Sequence, residues 1–224
     1  MLSPHLESLP EPQQRLWPEL KDTPKTFVLY GGTAIALYLG HRQSEDFDFF
    51  ASQPFNPTTL LQRLPYLRGA QVQQQQPNTL TCLLDRGGPV QVSFFGELPL
   101  RRIGTPQTAS GPGIQVATLM DLAATKAEVV QSRASAKDYL DLDVLMQHAG
   151  ISLSEALGAA KAVYGDSFNP LLTLKALTFF GDGDLHRVPG EVRQRLATAV
   201  KGVDLEHLPA LRAQRGLAPG GLER

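Results

Sequence analysis

In "SEDFDFFAS" (44–52), Asp46 and Asp48 stand two residues apart, with Phe47 and Phe49 in the alternate positions. Read as a strand, this alternation puts both acids on one face and both rings on the other. The rings supply the buried face, so the carboxylates share the opposite one. Like charges that close repel, which raises one pKa unless a cation lies between them. Hard divalent ions such as Mg2+ or Mn2+ select oxygen ligands of this kind. The same spacing would equally suit an edge strand with a solvated acidic face.

A second pattern lies just upstream. "TFVLY" (26–30) has the β-branched and aromatic content of a buried strand, and Gly31-Gly32 breaks it where the apolar helix "TAIALYLG" begins. Amides at a helix N-terminus attract anions, and missing side chains let a triphosphate approach the main chain. Thr33 at the helix start can cap it or hydrogen-bond a phosphate. Arg42 and Ser44, just before the acids, are candidate phosphate or base contacts. His41 has no second histidine nearby and reads as a corner residue rather than a metal ligand. A glycine pair alone is only a turn. A strand, Gly-Gly, a helix and then Asp-x-Asp on the next strand would hold a nucleoside triphosphate against a metal ion.

A third group is helical. In "TLMDLAATKAEVVQSR" (118–133), Leu119, Leu122, Lys126, Val129, Val130 and Arg133 form one stripe, with Asp121, Thr125, Glu128 and Ser132 on the wet side. Lys126 and Arg133 thus align with apolar residues. They either snorkel at the stripe's edge or point across a domain junction at phosphates. On the next helix Lys137 can pair with Asp141 at i,i+4, and Asp138 lies three residues before Asp141.

These residues must be positioned by strands first and helices later. After "DFDFFAS", Pro57-Thr58-Thr59 opens a helix through Leu64, and "AQVQQQQ", "TLTCLLD" and "PVQVSFF" read as strands. "RGG" between the last two is a tight hairpin signal. "TPQTASGPG" (105–113) has linker composition. Helices are expected beyond it over 118–133, 135–150, 153–163, 171–178, 190–200 and 204–213, with a frayed tail at 215–224. Residues 1–22 read as a helical lead-in that buries Leu16, Trp17 and Leu20.

Composition narrows the classes. The chain has 224 residues, is 42% hydrophobic and carries a formal charge of −1, which excludes a broad basic footprint and gives no expectation of DNA binding. A single cysteine, Cys82, excludes a disulfide framework or a cysteine zinc site and reads as core. The N-terminus lacks a signal peptide's apolar core, and no apolar run reaches a membrane span, so a soluble cytoplasmic protein is expected.

"GGTAIALYLGHRQSEDFDFF" resembles the signature of the AbiEii/AbiGii-type nucleotidyltransferase toxins of type IV toxin–antitoxin systems, within the polymerase-β-like nucleotidyltransferase superfamily. The resemblance continues in "DLAATKAEVVQSRASAKDYLDL" (121–142) and "LKALTFFGDGD" (174–184). Gly31, Gly32, Asp46 and Asp48 match the nucleotide and metal motif; Lys126, Arg133, Lys137, Asp138 and Asp141 match a second, helical motif. It implies an RNA acceptor such as a tRNA 3′ end, toxicity as the outcome and an antitoxin encoded nearby. Many members of the superfamily carry a third carboxylate on a later strand. Here that strand is "PVQVSFF", whose matching position is Ser93. Asp85 and Glu97 only flank it, and Asp138 or Asp141 is a candidate for the missing acid.

The expected protein is therefore α+β: a nucleotidyltransferase-like mixed sheet with flanking helices over 1–112, and a helical bundle over 113–224, with a cleft between them. The expected activity is metal-dependent transfer of a nucleoside monophosphate from an NTP. The expected site is Asp46, Asp48, Lys126, Asp138 and Asp141 for catalysis, with Gly31, Gly32, Thr33, Arg42, Ser44, Lys126, Arg133 and Lys137 on the nucleotide. Two other readings stay open: transfer to a small antibiotic-like molecule, or a nucleotide-binding module without catalysis.

Overall fold

Alternating apolar residues make the central strands here because those strands have a hydrophobic layer to cover. The computed structural model describes residues 1–219. Its strands are β1 (Val28–Tyr30), β2 (Asp46–Phe50), β3 (Gln71–Gln76), β4 (Thr79–Asp85), β5 (Pro89–Phe95), β6 (Arg101–Arg102), β7 (Gln107–Thr108), β8 (Gln115–Val116) and β9 (Gln214–Arg215), the last paired with β6. Seven of them form one mixed sheet in the order β3-β4-β5-β2-β1-β8-β7. β2 lies at its centre, antiparallel to β1 and parallel to β5. An edge-strand reading of the two acids is thereby excluded, because both sides of β2 are paired.

Helix α1 (Glu11–Leu16) precedes β1, α2 (Gly31–Leu39) follows it directly, and α3 (Pro57–Arg63) follows β2. Gly40 ends α2 in the left-handed region at φ 61°, and Asn56 caps α3 by accepting from the Thr59 amide. Leu16, Trp17 and Leu20 are buried as expected, and so is Cys82. Phe47 and Phe49 are fully buried, and Phe49 stacks on Phe94 with centroids 5.3 Å apart. This is the apolar layer that the alternation required.

The later half contributes α4 (Leu119–Val129), α5 (Ala136–His148), α6 (Leu153–Tyr164), α7 (Pro170–Ala176) and α8 (Gly190–Lys201). A full capping box opens α6: Ser152 accepts from the Glu155 amide while Glu155 accepts from the Ser152 amide. The chain divides into two compact units. One comprises Met1–Leu100, Thr105–Thr118 and the chain from Arg215; the other comprises Arg101–Gly104 and Leu119–Gln214.

Three expectations change. The segment 105–113 is no simple linker, for it contains β7 and the turn into β8, which extends the sheet beside β1. Its turn residues were legible, but its short strands are held by main-chain bonds that composition does not register. The expected helix at 204–213 is irregular chain. Pro209 lacks the donor a helix needs, and its carbonyl oxygen would lie 2.3 Å from a Cβ placed on Gly158 of α6. The tail is ordered at Leu217, which is buried and whose amide donates to Ser52 Oγ at 2.9 Å. Residues 220–224 of that expected frayed tail lie outside the described residues.

Candidate active site

Strand register fixes the acidic face. On β2, exposed Asp46 and half-buried Asp48 alternate with buried Phe47 and Phe49. Tyr30 of β1, Asp48 of β2, Ser93 of β5 and Thr81 of β4 stand in one lateral row across four strands. Ser93 therefore occupies the position beside the acids where a third carboxylate would lie. It is buried, 3.4 Å from Thr81 Oγ1. The flanking acids are committed elsewhere. Asp85 Oδ1 accepts from the Gly87 and Gly88 amides in the hairpin turn, and Glu97 accepts from Asn78 Nδ2 at 2.5 Å.

The glycine pair forms the other wall. Gly31 opens α2 at φ +77°, and a Cβ there would meet Asp48 Oδ2 at 3.1 Å. A Cβ on Gly32 would fall 2.3 Å from Arg42 Nη2 and 3.3 Å from Ser44 Oγ. Gly31 is required by its positive φ, and at Gly32 a side chain would have to displace the flexible end of Arg42, so a carboxylate and a guanidinium both lie against the helix N-terminus. The N-cap residue of α2, Tyr30, makes no side-chain capping bond to it, and amides at a helix N-terminus attract anions.

Thr33 and Ser44 are placed differently from expectation. The Thr33 hydroxyl is buried, 2.8 Å from Ser44 Oγ and hydrogen-bonded to the Asp46 carbonyl. Ser44, also buried, donates its amide to the Ser8 carbonyl at 3.2 Å. The two hydroxyls satisfy one another and brace α2 against the start of β2. They position the acids instead of presenting donors to a phosphate.

In the second unit, Lys126 is buried, with Nζ 2.6 Å from Asp138 Oδ1 and 2.7 Å from Asp141 Oδ2. Arg133 grips Asp138 through Nε at 2.8 Å and Nη2 at 2.9 Å. Burial pushes the Asp138 carboxyl upward, but the Arg133 hydrogen bonds and the Lys126 charge outweigh it and hold its pKa below the ordinary value. Asp138 and Asp141 are thus countercharges of a buried cluster, not acids held open for a substrate. Lys126 neither snorkels nor faces solvent. The expected Lys137–Asp141 pairing is replaced by Lys126–Asp141, and Lys137 is exposed on the first turn of α5.

The predicted wet stripe also fails. Asp121 and Thr125 are buried, and α4 ends at Val129, so Arg133 lies beyond the helix. Asp121 accepts from the Ile103 and Gly104 amides at 2.5 and 3.1 Å. An acid whose partners are main-chain amides on a distant loop looks solvent-facing in a helical projection. Asp184 is a further residue that local spacing did not single out. Its Oδ1 accepts from the Ala136 amide at 2.7 Å, capping α5 from 48 residues away. The only signal was its place in "LKALTFFGDGD".

Divalent-ion chemistry can be tested against these donors. Among the described residues, no group of three or more His, Cys, Asp or Glu side chains could hold a metal. Asp46 and Asp48 remain as two carboxylates on one strand face. That set fits Mg2+, which takes one or two carboxylates and completes its shell with phosphates and water.

A helix opening on two glycines beside paired carboxylates on the central strand of a mixed sheet is an arrangement suited to nucleotidyl transfer. The fold agrees: a crystal structure of an H. pylori protein assigned as a nucleotidyltransferase aligns with TM-score 0.53 at 17% identity, over 85% of this chain and 91% of that one. An uncharacterized protein of Aquifex aeolicus (strain VF5) is 34% identical over 158 residues, 70% of this chain and 74% of its own length. The family model for the nucleotidyl transferase AbiEii toxin of type IV toxin–antitoxin systems matches residues 19–214. The chain belongs to that family.

Proposed function

We propose that this nucleotidyltransferase moves a nucleoside monophosphate from an NTP to an RNA hydroxyl, with a tRNA 3′ end the foremost acceptor and toxicity the outcome. One observation carries the reading: Asp48 and Arg42 both press on the Gly31-Gly32 turn at the start of α2. The Gly31 and Gly32 amides bind the triphosphate, and Arg42 offsets its charge. Asp46 and Asp48 would hold Mg2+ or Mn2+, which supplies positive charge at the phosphates when bound. As the acceptor oxygen bonds to the α-phosphorus, the bond to the β-phosphate breaks and pyrophosphate leaves. Family membership supports a cognate antitoxin and a cytoplasmic setting. No helix of the described residues is long and apolar enough to cross a membrane.

Ser93 beside Asp48 favours a second reading, a module that binds nucleotide without transferring it. Incubation with each α-labelled NTP, Mg2+ and total tRNA separates the two. Label on tRNA with stoichiometric pyrophosphate supports transfer. Saturable NTP binding without pyrophosphate release would leave only the binding module.

A further inference from the structure

Three of the exposed large apolar side chains in the described chain fall within nine residues: Leu171 at 44%, Leu172 at 46% and Phe179 at 56% exposure. Such crowding on a surface marks a contact site more often than scattered single exposures do. Leu172 and Phe179 line a cavity of about 410 Å³ within the helical unit, together with Arg133, Lys175, Tyr139 and Asp182.

The local fold explains how Phe179 comes to be displayed. Phe180 turns inward, 5.8 Å from the Tyr139 ring and under the Arg193 guanidinium at 5.0 Å. Phe179 stays exposed. Its ring lies against Gly181, where an added Cβ would meet Cζ at 2.9 Å. Main chain backs the ring at Gly181 while more than half of the residue stays exposed. The wall beneath is pinned by Tyr139, whose hydroxyl donates to the Ala176 carbonyl at 3.0 Å. Lys175 is exposed on the last turn of α7, and among the described residues it has no carboxylate within salt-bridge distance. Asp182 is the acid in the lining beside Lys175, and the Arg133 charge is already set against Asp138.

A backed aromatic ring, an apolar wall and a lysine suit a single-stranded nucleic acid. A base can stack on the ring while its phosphate meets the ammonium. We propose that this cavity binds the single-stranded end of the RNA acceptor, with a nucleobase on Phe179 and Leu172 and a backbone phosphate at Lys175. The inference rests on the RNA-transfer reading, and its test is independent of transfer.

Binding of a fluorescein-labelled 12-nucleotide RNA would be followed by anisotropy across a salt series, without NTP. The proteins would be wild type, Phe179→Ala, Phe179→Trp and Lys175→Gln. Phe179→Ala should weaken binding about 10-fold and Phe179→Trp should restore it. Lys175→Gln should reduce the slope of log K against log salt by about 0.7. Both positions of change are exposed, and matching melting temperatures would verify folding. Equal affinity and slope in every protein would overturn the site while leaving transfer to RNA intact. Binding that follows these expectations, without any labelling of RNA from NTP, would keep the site and sink the transfer reading. Failure of wild type to bind the RNA would overturn the site. So would a wild-type dimer lost in Phe179→Ala, because the patch would then serve self-association.

Discussion

The two units handle paired aspartates in opposite ways. Asp46 and Asp48 sit two residues apart on the central strand, one exposed and one half-buried, against bare glycine main chain. Asp138 and Asp141 sit three apart on a helix, both fully buried, sharing one buried lysine. The first pair keeps part of its surface in solvent, where a ligand can reach it. In the second, the chain buries its own cations beside the acids, and desolvation makes each partner depend on the other. Identical side chains thus stand on an accessible face in one place and serve as framework in the other. Burial makes the difference.

The largest expected effect lies in the open pair. Asp46→Asn and Asp48→Asn should each lower the transfer rate about 10⁴-fold, roughly 5 kcal/mol of transition-state stabilisation. Urea midpoints should stay close to wild type, because both side chains keep contact with solvent. Unfolding of either variant, or wild-type rates, would erase the contrast between the units.

Next comes Lys126→Met, which leaves Asp138 and Asp141 buried without their shared cation. A loss of about 3–5 kcal/mol in chemical denaturation is expected. A stable Lys126→Met protein that has lost nucleotide affinity would instead make Lys126 a phosphate ligand. Acid titration sharpens the same point. Because the folded pKa of Asp138 lies below its unfolded value, its stabilisation is present above about pH 4 and fades as pH falls through the folded value. Asp138→Asn should be less stable at neutral pH and lose less on acidification below pH 4.

A smaller effect is expected at the glycine turn. In Gly32→Ala the new methyl displaces the flexible end of Arg42, so stability should change by less than about 1 kcal/mol while NTP affinity falls roughly 5- to 10-fold. Unaltered NTP affinity by calorimetry would remove Arg42 and the turn from the nucleotide site.

A last comparison concerns Ser93→Asp, which adds a third carboxylate in the row of Asp48. In chelator the variant should lose about 1–3 kcal/mol, since three acids then repel in a largely buried place. Mg2+ should restore much of it by binding the folded state. Melting temperatures that respond to Mg2+ identically in both proteins would mean that the added acid does not join Asp46 and Asp48.

Local chemistry was legible wherever one element carried the whole pattern. Alternation in "DFDFF" set the faces of β2, and strand followed by Gly-Gly set the α2 turn, because a strand's period of two and a glycine's missing side chain act within a few residues. β4 and β5 were bounded by their hairpin residues for the same reason. The sequence alone therefore determined the open acid pair, the glycine turn that Asp48 and Arg42 approach, and the serine in the third-acid position. Tertiary structure alone decided that β2 is central, that Thr33 and Ser44 brace each other, and that Lys126 is spent on Asp138 and Asp141. It also gave Asp184 its cap on α5 and drew 105–118 into the sheet. These outcomes depend on partners tens of residues away, and a charged side chain's role follows from whether water or an opposite charge reaches it, which no local spacing encodes.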